Sequence, residues 1–251
     1  MKILEGIKGH VQSVWAAAEP LIWPVRCAVC HGSMSVDEKP VCRTCWNELS
    51  FTVSHHYCRR CGRSVSPYGL MPEGCGHCQD QSFQFDRIVR AGLYESAFRR
   101  LILNMKFRDC TELTGVLGTM LNDAFTASGL AEKTDVFVPV PLHWRRRLER
   151  GFNQSLLLTK HLKLHSIPVS EDLVRIRYTT RQWNLSGPER RRNVKNAFRV
   201  RKDHVFYQKR ICLVDDITTS GATLNECAQT LKKAGASEVF ALVLTVAEQG
   251  I

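Results

Sequence analysis

Residues 211–223 read ICLVDDITTSGAT. Four largely apolar residues, Ile211 to Val214, precede an adjacent carboxylate pair, Asp215 and Asp216, and then a run of hydroxyl residues interrupted by Gly221. The apolar run is long enough only for a buried strand, and TLNECAQTLKKAGA, from Thr223, has helical spacing closed by Gly235. The acids and hydroxyls therefore fall at the carboxyl end of a strand, just before a helix N-terminus. In open α/β sheets ligands bind at that edge. Free N–H groups at a helix N-terminus, joined by Thr and Ser hydroxyls, favour a phosphate. Adjacent carboxylates repel each other in an apolar site, so they need cations or hydroxyl donors beside them. A ligand with a phosphate at one end and a polyol in the middle suits both halves. The loop lacks the GK[ST] of a Walker A loop and the GxGxxG of a dinucleotide fingerprint.

Working outward, residues 96–106 and 112–127 read as helices, DVFVPVP (135–141) as a buried strand and NQSLLLTKHLKLH (153–165) as helical. DLVRIRY (172–178) is strand-like, and EVFALVLTV (238–246) reads as a last strand. Strands alternating with helices predict an α/β fold with a parallel sheet flanked by helices.

Eight of the eleven cysteines form four CxxC pairs: Cys27/Cys30, Cys42/Cys45, Cys58/Cys61 and Cys75/Cys78. Nothing in the sequence directs the chain to an oxidising compartment, so thiolate coordination of zinc is a better account than disulfides. Two CxxC knuckles complete a closed tetrahedral site with no open position, which makes the metal structural. Sequential pairing joins the first two knuckles and the last two; pairing the first with the third is the alternative, and one or two ions follow. His31, His55, His56 and His77 lie near the knuckles as surface or supporting groups, and Cys110, Cys212 and Cys227 read as packing residues.

The formal net charge is +11. Between His143 and Lys202 sixteen Arg and Lys face four acids, which suggests an anionic partner. In that segment Trp144, Phe152, Trp183 and Phe198 are interleaved with arginines, an arrangement that could follow phosphates and stack on bases of single-stranded nucleic acid. No stretch approaches the length of a membrane span. Ile3, Leu4, Ile7, Val11, Val14, Trp15 and Ala18 recur at helical spacing, so an amphipathic helix is expected before Pro20, too interrupted by charge for a signal peptide. A cytoplasmic protein is the expectation.

The strand, acid pair and loop resemble the phosphoribosyl pyrophosphate (PRPP) signature of type I phosphoribosyltransferases. The resemblance implies that Asp215 and Asp216 hold ribose hydroxyls, and that Thr218, Thr219, Ser220, Gly221, Ala222 and Thr223 surround the 5-phosphate, with Mg²⁺ accompanying PRPP. VPVPLHWRRRLERGFNQS (138–155), RQWNLSGPERRRNVKNAF (181–198) and the cysteine-rich module narrow the match. Together they resemble the ComF/GntX family, linked to DNA uptake in competent bacteria. This implies a type I phosphoribosyltransferase-like fold, an N-terminal helix over 1–26, a zinc module over 27–80 and the phosphoribosyltransferase-like domain over 81–251. It further implies that Arg145, Arg146 and Arg147 lie in a pyrophosphate loop, and that Gln182, Arg190, Arg191 and Arg192 belong to a mobile hood. Single-stranded DNA and DNA-uptake or recombination proteins are the partners implied. The alternative is an active phosphoribosyltransferase that moves ribose 5-phosphate from PRPP to a nitrogen acceptor.

Overall fold

The computed structural model describes residues 25–34, 40–53, 56–66, 68–69, 74–107, 113–180 and 185–248. The helix expected before Pro20 lies outside these residues, as do His55, Cys110, Gln182 and Trp183. The described elements run α1 (Arg43–Thr52), β1 (Arg87–Leu93), α2 (Ser96–Phe107), α3 (Leu113–Ala127), β2 (Val136–Pro139), α4 (Trp144–Arg150) and α5 (Gln154–Thr159). They continue with β3 (Leu173–Arg175), α6 (Gly187–Val194), β4 (Phe198–Val200), β5 (Arg210–Thr218), α7 (Ala222–Lys233) and β6 (Glu238–Val246).

Four strands form one parallel sheet in the order β1-β6-β5-β2. The quoted stretch supplies β5, whose Ile211 to Val214 pair with Val136 to Pro139 on one side and, through the same residues, with Val239 to Leu242 on the other. Because both faces of such a sheet are covered, its strands are continuously apolar and their alternate residues serve two separate cores. Cys212 and Val214 point into a core with Phe98, Leu101 and Met105 of α2 and Leu117, Leu121 and Phe125 of α3. Ile211 and Leu213 point the other way, into a core with Leu224, Cys227 and Leu231 of α7 and Val194 of α6. Cys212 and Cys227 are buried packing residues, as expected.

Three parts of the architecture depart from the expectations. β1 was not anticipated, because Arg87 and Arg90 break its apolar pattern; Arg90 is nevertheless only 3% exposed. DLVRIRY contributes only the short β3, paired antiparallel with β4. The two arginine-rich stretches expected as loops contain the helices α4 and α6. α6 starts at a capping box in which Ser186 and Glu189 satisfy each other's backbone N–H groups.

The first cysteine loop joins the α2/α3 face: Cys27, Val29, Val41, Cys45 and Leu49 belong to that core, and Asn104 Nδ2 donates to the Ala28 carbonyl at 2.7 Å. The second lies against the other core. Ile88 N donates to the Arg59 carbonyl at 2.8 Å, and Gly62, at φ +79°, sits so close that an added Cβ would meet Val246 at 2.8 Å. Arg90 fastens this contact. Its guanidinium pairs with Glu248 at 3.2 Å, donates to Ser64 Oγ at 2.9 Å and lies over the Tyr57 ring.

Candidate functional site

The cysteines form two tetrads, Cys27/Cys30/Cys42/Cys45 and Cys58/Cys61/Cys75/Cys78, with the sulfurs of each within 4.8 Å of one another. Pairing is therefore sequential, and the interleaved alternative is excluded. Four thiolates at 2.3 Å from a tetrahedral zinc lie about 3.8 Å apart. The Cys30–Cys42, Cys58–Cys78, Cys61–Cys75 and Cys75–Cys78 sulfurs are 3.9, 3.7, 3.6 and 3.8 Å apart, so the geometry fits zinc in both. Burial works against ionising Cys27, but N–H donors from Cys42 and Val29 among others outweigh it and hold the thiol at about 6. All eight ligands are cysteine, which leaves the neighbouring histidines out of the coordination sets. These are closed, structural sites.

At the carboxyl end of β5, Asp215 Oδ1 accepts from Ser155 Oγ and from Asp216 N, each at 2.9 Å. Asp216, 7% exposed, accepts from Ile217 N at 2.7 Å and pairs with Lys106 Nζ at 2.6 Å. The cation and hydroxyl donor that the acid pair requires are thus Lys106, from the end of α2, and Ser155, from the start of α5. Burial and then the Asp216 carboxylate push the Asp215 carboxyl up to about 7, against the opposing pull of Lys106 and Ser155. Neither partner was identified from sequence. Lys106 ends a helical stretch read only for its apolar spacing, and Ser155 follows Asn153 and Gln154, the more conspicuous polar residues. Asn153, a candidate for orienting a ligand, has a local task instead: its amide donates to the Val140 carbonyl and its oxygen caps α5 through Ser155 N.

The turn after β5 carries the buried Thr218, then Thr219 and Ser220, and ends at Gly221, whose φ of +71° only glycine adopts without strain. Gly221 is the N-cap of α7, and no side chain caps the helix, so its first N–H groups face outward unclaimed by a side chain. Ser220 Oγ is buried with no partner. Ala222 and Thr223 form the first turn of the helix.

The arginines divide differently from the expected single basic rim. Arg145 to Arg147 lie on α4, which follows β2 and is capped by His143. Arg145 and Arg146 lie against the Tyr178 ring, and Arg146 also donates to the Thr179 carbonyl at 2.7 Å. Arg190 is 6% exposed and is withdrawn from any rim, because its turn of α6 faces the core; Arg191 and Arg192 are exposed. Of the six, only Arg191 lines the cleft at the phosphate-type turn. Arg175, unremarked in the sequence, is held under Thr179 at 2.5 Å and over the Phe198 ring.

Together these features define a parallel α/β protein with an acid pair and an uncapped hydroxyl turn at the carboxyl edge of its sheet, carrying two cysteine-tetrad ribbons. A double zinc ribbon domain matches residues 19–80. Competence protein F of Haemophilus influenzae is 32% identical over 85% of this chain and 93% of its own length. DNA utilization protein YhgH of Escherichia coli O157:H7 is 32% identical over 86% of this chain and 94% of its own. The chain belongs to the family of these proteins, the ComF family that its motifs resemble. Among solved structures, glutamine PRPP amidotransferase from B. subtilis is 26% identical over 51% of this chain and 25% of that one, with a TM-score of 0.34. Among the described residues no helix is long and apolar enough to cross a membrane.

Proposed function

We propose that the protein binds a phosphoribosyl ligand, PRPP with Mg²⁺, at residues 215–223 and serves DNA uptake by handling incoming single-stranded DNA in the cytoplasm. The observation that carries the ligand reading is the conjunction at one sheet edge of the paired acids and the uncapped α7 N-terminus, with the orphaned Ser220 hydroxyl between them. The helix N-terminus and the turn hydroxyls receive the 5-phosphate. Asp215 and Asp216 receive the ribose hydroxyls and Mg²⁺, with Lys106 moving aside or toward the pyrophosphate as the diol arrives. Magnesium would bridge pyrophosphate and ribose oxygens and offset their charge. The DNA reading draws on the names of the relatives, competence protein F and DNA utilization protein, and on the basic segment from His143 to Lys202.

Calorimetry tests the first half: PRPP binds the parent only with Mg²⁺, and Asp215→Ala with Asp216→Ala abolishes binding. Undiminished binding by the double variant would refute the site. Incubating PRPP and Mg²⁺ with a panel of bases tests the transferase alternative, which pyrophosphate release would favour over a module that binds without turnover.

A further inference from the structure

We infer that the second zinc ribbon forms one wall of the phosphate site. Arg63 of the ribbon and Arg191 of α6 hold a second phosphate of a ligand whose first phosphate rests on the turn of residues 219–221. The inference rests on the turn being the phosphate site proposed above, and it adds a ligand class, molecules with consecutive phosphates.

The cleft beside the turn is lined by Arg63, His77 and Gln81 of the ribbon, by Arg191, and by Thr219 and Ser220. This inner part measures about 120 Å³, room for a few water-sized groups and hence for a phosphate but not a base. A wider part of about 320 Å³ continues past Phe83 and Arg191 to Asn225, along the start of α7. A chain-like ligand can thus leave the turn without meeting a wall.

The charges in the inner cleft are unspent. Arginines elsewhere around the sheet have partners: Arg90 has Glu248, Arg146 the Thr179 carbonyl and Arg175 the Thr179 hydroxyl. Among the described residues the Arg63 and Arg191 guanidinium groups have no hydrogen bond or ion pair, and Ser220 Oγ, in the same cleft, is buried without a partner. A single phosphate monoester is satisfied by the turn's N–H groups and hydroxyls. Two further guanidinium forks facing that turn match more anionic oxygen than one phosphate supplies.

Arg63 is also held in place before any ligand arrives. Its carbonyl accepts from Cys58 N at 2.9 Å, Gly62 on one side is pressed against Val246, and Ser64 on the other is gripped by Arg90 and Glu248. A cation fixed on both sides loses little conformational freedom on binding. The first ribbon, packed on the opposite core with α2, lines neither part of the cleft.

Adjacent phosphates occur in polyphosphorylated small molecules and along a nucleic-acid strand, and the test separates these sources. The zinc-loaded full chain is titrated with inorganic phosphate, with tripolyphosphate and with a 5′-phosphorylated ten-nucleotide oligothymidylate at fixed ionic strength. The parent is expected to bind at least one of the two longer probes about tenfold more tightly than phosphate. Arg63→Ala removes that advantage while leaving phosphate affinity and zinc content unchanged. Arg199→Ala, the same loss of charge on exposed β4, does neither. Cys61→Ser reproduces the loss and Cys30→Ser does not. If only tripolyphosphate is affected the ligand is a small molecule, and if only the oligonucleotide is affected it is a nucleic acid. Arg63→Ala behaving like Arg199→Ala overturns the inference while leaving the turn as a phosphate site; a parent that binds no phosphate at all removes both.

Discussion

Replacing Asp215 by Asn should make the protein more stable, increasingly so as the pH rises. In the folded state the Asp215 carboxyl titrates at about 7, against 3.8 for a free side chain, because burial and the adjacent Asp216 oppose its ionisation. Each tenfold change in an ionisation constant is worth about 1.4 kcal/mol, so carrying the ionised group costs the fold about 4 kcal/mol. The sign follows from the raised value. Below pH 4 the group is protonated in both states and costs nothing. Between the free and folded values the unfolded chain ionises first and stability is lost. Above 7 both states are ionised and the loss is complete. Asparagine keeps the oxygen that accepts from Ser155 Oγ and Asp216 N, both at 2.9 Å, so it removes the charge without removing those bonds. Urea unfolding of both proteins in zinc-containing buffer should show the variant gaining about 1–2 kcal/mol more between pH 5.5 and 8, then levelling off. A variant less stable than the parent at pH 8, or a difference that does not change with pH, would show that Asp215 is not held against its own ionisation. The same variant should bind PRPP weakly, the mark of a residue kept for its charge at the expense of the fold.

Removing Lys106 instead strands the Asp216 carboxylate: Lys106→Met should destabilise by about 3 kcal/mol, and adding Asp216→Asn should restore most of it, as a double-mutant cycle will read. Elemental analysis should find two zinc ions per chain, falling to one in Cys61→Ser without loss of the first ribbon. Glu248→Gln should loosen the second ribbon by leaving the buried Arg90 without its counter-charge, seen as faster zinc release to a chelator and a stability loss of about 2 kcal/mol. Single-stranded DNA affinity should fall with salt at about −0.7 in log K per log[salt] for each phosphate contacted. Arg191→Glu with Arg192→Glu should weaken it across sequences, and a salt-independent affinity in the parent would remove the DNA reading; the buried Arg190 is left intact to spare the fold.

The elements that were legible in the sequence are those whose neighbours in space are also their neighbours in sequence, or whose burial is uniform. β5 and β6 are buried on both faces and so read as unbroken apolar runs; the paired CxxC motifs specify their own geometry within short loops. β1 was concealed by Arg90, a residue that belongs in a buried strand only because Glu248 and Ser64 lie beside it in the folded chain. α6 was legible in principle, since Ser186 and Glu189 are spaced as a capping box, but its surface carries too many charges for an apolar stripe. At the site, Asp215, Asp216 and the turn could be read as one contiguous string. Lys106, Ser155 and Arg63 could not, because each reaches the string from a different element, and only packing determines which polar residue of an element arrives there.

The strand order also has a bearing on how the chain is made. β6, the last strand in sequence, lies between β1 and β5, so Arg87 must find Phe240 before the early and late parts of the sheet are joined. Contacts so distant along the chain form late and slowly. Each cysteine tetrad, by contrast, closes within a few dozen residues and can take up its metal while synthesis continues. The growing chain therefore carries two finished ribbons and an exposed, unpaired β1 edge until nearly all of it has emerged. It is in that interval, rather than in the folded protein, that the molecule is most open to aggregation and most dependent on a supply of zinc.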